Sequence, residues 1–538
     1  MVHPRLKVRG ILGTAIAGSL VVAALVVVPG VAASASSPAP LRHLAAGPLP
    51  TVTPIPAHAG SHGYPYDAVP TKPSFAGAPT INLAHFGYVE REFTMSGTTN
   101  IYQQSGFWGS NGMWNVSVAQ SNVPYTTRLL VRYPTNPAKF NGTVVVEWLN
   151  DTTGGDQDPV WSEIYHEVLS QGYAYIGVSA QTGSMVEDKT WDPQRYGALG
   201  DSNDGQSYDI FSQAAQVARA DAGNLLGGLK PATIIGAGDS QSAFRVATYY
   251  NAIQPLSHAF DGLLAIGRGV LAAPIGSGLV AFSPFPALIR TDSTTPFFQI
   301  ETEGDIEELG FAFARQPDNV HLRTWELAGA AHIDLHEGLY EGATIAREVP
   351  SLPPPNCLFG VPFNGGTLPD NMGVFELEDS GLIALRKWIT QGVAPVSGNQ
   401  IATTPFFNIV ERDRFGNALG GIRLPDINVP AETYSAINFS QISQQSLSPS
   451  QLMSVLENIF STLMTGVITD PALREAGLCL LEGFYTPFSS ATLQSLYPTH
   501  TAYVSQFTAA AQATKAAGFL TPYDYNQAVK AAQAAPIP

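Results

Sequence analysis

Residues 232–250 constrain the fold of this chain more than any other stretch. Ala232 to Ile235 is a short apolar, β-branched run suited to a buried strand, and a segment with helical spacing begins a few residues later. Between them lies Gly238-Asp239-Ser240-Gln241-Ser242, a G-x-S-x-small sequence. A serine on so sharp a strand-to-helix turn needs small residues two before and two after it. Gly238 meets that demand, Ser242 stands where a second glycine is usual, and Ala243 keeps the next turn thin. The G-x-S sequences that end at Ser179 and Ser202 lack this context. Ser179 ends a strand with no helical pattern directly after it, and Ser202 lies in a polar loop with no strand before it. Ser240 is therefore the expected nucleophile, against the plainer alternative of an ordinary strand-to-helix turn.

The surrounding pattern supplies a frame for such a turn. Short alternating β runs occupy residues 83–133, and Thr143 to Leu149 is nearly continuously apolar, as in a strand buried on both faces of a parallel sheet. Further strands are expected at 173–178, 262–266, 296–302 and 321–327, and helices at 160–170, 208–226 and 380–391. Strands alternating with helices imply an α/β fold, a doubly wound and mostly parallel sheet, over residues 79–400. Residues 36–78, rich in Pro and Ala, read as a linker or arm. Residues 401–538 read as an appended lobe, a small β excursion over 401–436 followed by helices broken by prolines.

Composition excludes some partners. With 27 basic against 43 acidic residues, nothing offsets phosphate charge, so no nucleic acid is expected to bind. Residues 1–35 read as a signal peptide: Arg5, Lys7 and Arg9, an apolar stretch from Ile11 to Val31, then Ala33-Ser34-Ala35 as a small-residue cleavage site. An uncleaved anchor is the rival reading, since the apolar stretch is long enough to span a bilayer. After cleavage no membrane span remains, and the expectation is a secreted protein. The two cysteines, Cys357 and Cys479, suit one disulfide in an exported chain, with two buried thiols as the alternative.

A serine hydroxyl is a weak nucleophile near neutral pH; it needs a base within hydrogen-bond reach and an acid to orient that base. His332 follows a strand and the small-residue loop Ala328-Gly329-Ala330-Ala331, which lets an imidazole come close. His166, His258, His321 and His336 compete for the role. His258 and His321 precede strands and belong to the opposite sheet edge, His166 falls within a helical pattern, and His336 lies one helical turn beyond His332. The acid is expected in the loop after the 296–302 strand, at Asp305 behind a turn glycine or at Glu303, with Glu301 a weaker candidate. An oxyanion hole would draw one amide from Gln241 and a second from Asn150, Asp151 or Thr152, in a loop that Gly154 and Gly155 let bend. The group His332, Asp334, His336 and Glu337 has no recognised ligand spacing, so neither a metal nor another cofactor is expected.

Taken together, Val146-Glu-Trp-Leu-Asn150, Gly177-Val-Ser-Ala-Gln181, Gly238-Asp-Ser-Gln-Ser242, Arg315-Gln-Pro-Asp318 and Trp325-Glu-Leu-Ala-Gly-Ala-Ala-His332 resemble the α/β-hydrolase superfamily. Within it they look most like a poorly characterised bacterial branch of secreted α/β-hydrolase-domain proteins. The resemblance implies Ser240 as nucleophile and His332 as base, and leaves the acid open between Glu303 and Asp305. It implies a serine hydrolase cleaving small-molecule or polymeric carboxylic esters through an acyl-enzyme. An amidase or peptidase on the same fold, and a non-catalytic exported binding protein, are the alternatives. Ser242 in place of the second glycine departs from the pattern of typical lipases.

Overall fold

In the central strands, successive side chains alternate between faces and both faces are covered by helices. The structure is a computed structural model that describes residues 49–56, 81–276, 283–348, 368–438 and 477–538. The expected signal segment, most of the 36–78 stretch and Cys357 lie outside the described residues; Cys479 is disulfide-bonded. In β4 (Thr143–Trp148) no residue reaches water. Val144, Val146 and Trp148 enter one core with Phe211 and Val217 of the helix Ser207–Ala220. Val145 enters the other with Trp161 and Ile164 of the helix Pro159–Gln171. The same alternation runs through β6 (Thr233–Asp239), where Ile234 faces the first core and Ile235 and Ala237 the second.

Among the described residues, these strands belong to a nine-stranded sheet ordered β1-β2-β3-β5-β4-β6-β7-β8-β9. It includes β1 (Thr51–Pro54), β2 (Tyr88–Gln104), β3 (Val116–Pro134) and β5 (Ala174–Val178) on one side, and β7 (Gly262–Ile266), β8 (Phe297–Thr302) and β9 (Leu322–Leu327) on the other. From β5 to β9 neighbouring strands are parallel, while β1, β2 and β3 add an antiparallel wing. The order reverses between β4 and β6, since the chain winds one way through β5 and the other through β7, β8 and β9. Loops leaving the carboxyl ends of β4 and β6 diverge there and open a crevice, the general position for a ligand site in such sheets.

Three expectations are modified. Thr51–Pro54, inside the stretch read as a linker, is an edge strand registered on Phe93–Ser96. The helix expected over 208–226 ends at Ala220, and Asp221 separates it from a short turn at Ala222–Leu225. The 401–436 excursion is seated on the main sheet and does not stand apart from it. Ile422 bridges to Leu327, and Ile401, Val410 and Ala418 bury with Ile306 and Phe311.

Two buried arginines tie the antiparallel wing to the crevice. Arg128 and Arg132 of β3 lie on one face, four residues apart. Arg128 donates to Glu92 Oε1 (2.6 Å) and Asp156 Oδ2 (2.9 Å), and Arg132 to Glu90 Oε2 (3.0 Å) and Asp158 Oδ2 (2.8 Å). The Arg132 guanidinium also lies 4.1 Å from the centre of the Trp161 ring. Removing one partner of such a pair leaves an uncompensated buried charge. Arg132→Ala is therefore expected to lose about 3–5 kcal/mol of folding stability, measured as a lower urea midpoint at unchanged slope.

Candidate active site

Ser240 is the single residue between β6 and the helix Gln241–Thr248, and its backbone (φ 53, ψ −121) lies outside the regions open to most L-residues. Its N–H donates to Ile266 O at 2.9 Å, which anchors the turn to β7. The close crossing explains Gly238: a Cβ there would sit 2.9 Å from the backbone carbonyl of Ser242. The turn thereby holds the serine side chain at the carboxyl end of the sheet, at the edge of the crevice.

From that position Ser240 Oγ lies 2.8 Å from His332 Nε2, and His332 Nδ1 lies 2.5 Å from Asp305 Oδ1. With Nδ1 protonated toward the carboxylate, Nε2 is left to accept from the serine hydroxyl. Asp305 is itself fixed. It is the third residue of the short helix Glu303–Glu307, and its Oδ2 accepts from Thr302 N (2.6 Å) and Thr302 Oγ1 (2.9 Å) in a capping box. Gly304 allows that helix to meet the imidazole loop, because a Cβ there would fall 2.6 Å from His332 N. Burial alone would lower the His332 pKa, but the charge and hydrogen bond of Asp305, with Asp239 nearby, shift it upward overall.

The remaining sequence candidates fall elsewhere. Glu303, one residue into the same helix, points the other way: its Oε2 accepts from Gly329 N at 2.8 Å and its Oε1 pairs with Arg412 at 2.7 Å. It holds the loop before His332 and does not touch the ring. Glu301 is buried within β8. His166 stacks on Tyr523, His258 caps a helix, His321 precedes β9, and His336 Nε2 bonds Ser162 O. Ser179 donates to Asp156, and Ser202 bonds Gln206. Asp334 caps the following helix through Glu337 N, and among the described residues no His, Cys, Asp or Glu cluster is arranged to hold a metal.

The expected oxyanion donors divide. Gln241 opens its helix, where amide groups have no partner within the helix. The Asn150 amide is not available, because it donates to Gln157 O at 2.8 Å in a reciprocal bridge that closes the loop on itself. The Thr152 amide is also committed, to Asn150 Oδ1. Asp151 turns its carboxylate to Ser184 and is not part of the pocket wall.

A pocket of about 500 Å3, open solvent at its mouth included, joins Ser240 and His332. Apart from Glu337, already weighed as a metal ligand, its walls contain residues that the sequence did not signal. Thr153 and Gln157 come from the loop after β4, and Glu337, Glu341 and Ile345 from one face of the helix Leu335–Glu348. Leu478 and Leu481 come from far downstream, held by a bond from Ile333 N to Leu481 O. The carboxyl of Glu337 is held well above the usual range by burial and by Asp334, Asp305 and Glu147.

The upward-shifted imidazole has a kinetic consequence. His332 acts as an acceptor only when unprotonated, so turnover at this site is expected to fall as pH drops through a value above the ordinary 6.5. In Asp305→Asn that limb moves to lower pH, since the raising charge is gone, while kcat drops by about 10⁴. A pH profile of kcat/KM for both proteins measures the shift.

A family of sequences described as an alpha/beta hydrolase domain matches residues 51–530. A search of curated proteins finds no match. Among solved structures, a sugar hydrolase from Lactococcus lactis is 13% identical with a TM-score of 0.23, over 32% of this chain and 66% of its own. A methylesterase is 11% identical with a TM-score of 0.24, over 45% of this chain and 50% of its own. A fungal esterase from Rhizomucor miehei is 14% identical with a TM-score of 0.26, over 47% of this chain and 81% of its own. The match thus spans just under two thirds of the first of these proteins and half of the second. The family match runs from the edge strand Thr51–Pro54 through the Ser240 turn and the His332 loop into the C-terminal helices, and the chain belongs to the alpha/beta-hydrolase domain family.

Proposed function

We propose that the protein is a serine hydrolase that cleaves carboxylic esters through an acyl-enzyme. The observation that carries this reading is the hydrogen-bonded series Ser240–His332–Asp305, with the serine on a strained turn. Ser240 Oγ attacks the ester carbonyl as its proton passes to His332 Nε2, and Asp305 stabilises the imidazolium that forms. Collapse of the tetrahedral adduct breaks the C–O bond, and the same imidazolium returns its proton to the departing alcohol. Water, deprotonated by His332, then releases the acid and restores the serine.

The negative oxygen of each adduct needs two donors. Gln241 N–H is one. For the second, the hydroxyls of Thr152 and Thr153 suit the task better than the committed amides of Asn150 and Thr152. Both threonines line the pocket beside Ser240, and both Oγ1 atoms are buried with no partner among the described residues. The reading also takes the protein to be exported. The support is the basic-then-apolar segment ending at Ala33-Ser34-Ala35, together with a cysteine in a disulfide.

A serine-directed fluorophosphonate is expected to label the wild type on Ser240 and to leave Ser240→Ala unlabelled. The same substitution should lower kcat on a p-nitrophenyl ester by roughly 10⁶-fold. Equal labelling of both proteins, or no labelling of either, would favour a binding protein without turnover.

A further inference from the structure

The pocket beside Ser240 has two unlike walls. Leu478 and Leu481 contribute an apolar side, while Thr152, Thr153, Gln157 and Glu337 contribute a polar one. The polar side carries more hydrogen-bonding capacity than the proposed chemistry uses. Thr152 Oγ1, Thr153 Oγ1 and Gln157 Nε2 are all buried and have no partner among the described residues. An oxyanion takes one hydroxyl, which leaves the other hydroxyl and the Gln157 amide without a role. A buried donor facing plain hydrocarbon stays unsatisfied, at a cost of about ten- to hundredfold in binding per group. Among the described residues the charged side chains that line the pocket are the carboxyls of Glu337 and Glu341, which disfavour a substrate carboxylate or phosphate there.

We infer that the enzyme selects esters carrying an uncharged, hydroxyl-bearing group, which the free Thr152–Thr153 hydroxyl, Gln157 Nε2 and Glu337 bind beside Ser240. This rests on the ester-hydrolase reading and names its substrate class. The hydroxyl accepts from Gln157 and exchanges a hydrogen bond with Glu337, while the carbon skeleton lies against Leu478 and Leu481. Because Glu337 is held toward its protonated form, it serves as donor or acceptor without presenting a fixed charge.

The test compares matched esters on the full-length protein. In one arm p-nitrophenyl 3-hydroxybutyrate is set against p-nitrophenyl butyrate and the p-nitrophenyl hemiester of succinate. In the other, glyceryl monobutyrate is set against propyl butyrate, which separates a hydroxyl on the acyl side from one on the alcohol side. The hydroxylated member of at least one pair is expected to have kcat/KM at least tenfold above its alkyl partner, with the succinate hemiester slowest. Gln157→Leu should bring that ratio down toward one, and Thr153→Val, nearly isosteric, should lower it part of the way. A hydroxylated ester that is less than tenfold faster than its alkyl partner in both arms overturns the inference, as does a fastest rate on the anionic hemiester. Should a variant fail to fold, the wild-type ratios still decide. Absence of hydrolysis on every ester instead overturns the ester-hydrolase reading beneath it.

Discussion

The backbone bend at Ser240 is the constraint from which the site follows. A non-glycine residue held at φ 53, ψ −121 costs about 1–3 kcal/mol, and it persists only where its surroundings over-determine it. Here those surroundings are identifiable. Ser240 N–H is fixed to Ile266 O, the missing side chain of Gly238 lets the chain cross beside Ser242, and the apolar residues of β6 bury the strand on both faces. The strain is thus carried by packing formed elsewhere in the sheet. Relaxing it would rotate the hydroxyl away from His332.

The loop after β4 is controlled from both ends. Glu147, in the middle of Val146-Glu-Trp-Leu-Asn150, is fully buried and accepts from Val160 N and Trp161 N at 3.0 Å each and from Tyr175 OH at 2.8 Å. It thereby caps the helix into which the loop runs, a favourable place for a carboxylate. Asp156 and Asp158, just before that helix, are held by Arg128 and Arg132 of β3. The loop is in this way locked at both ends, while the Thr152 and Thr153 hydroxyls keep no partner among the described residues. Such preorganisation is what gives an oxyanion site its effect, because donors that need not move cost no reorganisation during the reaction.

A third feature is the crowding of carboxyls behind the imidazole. Asp239, Glu163, Glu337 and Glu378 all have pKa values pushed well up, chiefly by burial and then by neighbouring carboxyls. The chain's acidic balance is therefore not only a surface property. Part of it is folded inside, where low polarity favours the neutral form of a carboxyl.

Much of this was legible from the residues in order. The strand at Gly262–Ile266 is found with the bounds its apolar run implied, and the strand–Ser240–helix context stands out because hydrophobic period and turn chemistry are local properties. What stayed hidden was the outcome of encounters between distant segments. Whether Asp305 or Glu303 meets the ring depends on which way each side chain leaves the first turn of a short helix, and Thr302 decides that by turning Asp305 back onto itself. The Asn150 amide looked available until the fold paired it with Gln157, and Leu478 and Leu481 became pocket walls only when the C-terminal segment docked on Ile333. By itself, then, the sequence determined the α/β alternation, the bend at Ser240 and the supply of a serine, a histidine and acids in workable order, since these rest on local sterics and periodicity. Tertiary structure alone decided which acid, which donors and which walls surround the serine, because hydrogen-bond partners and pocket linings are set by contacts between residues far apart in the chain.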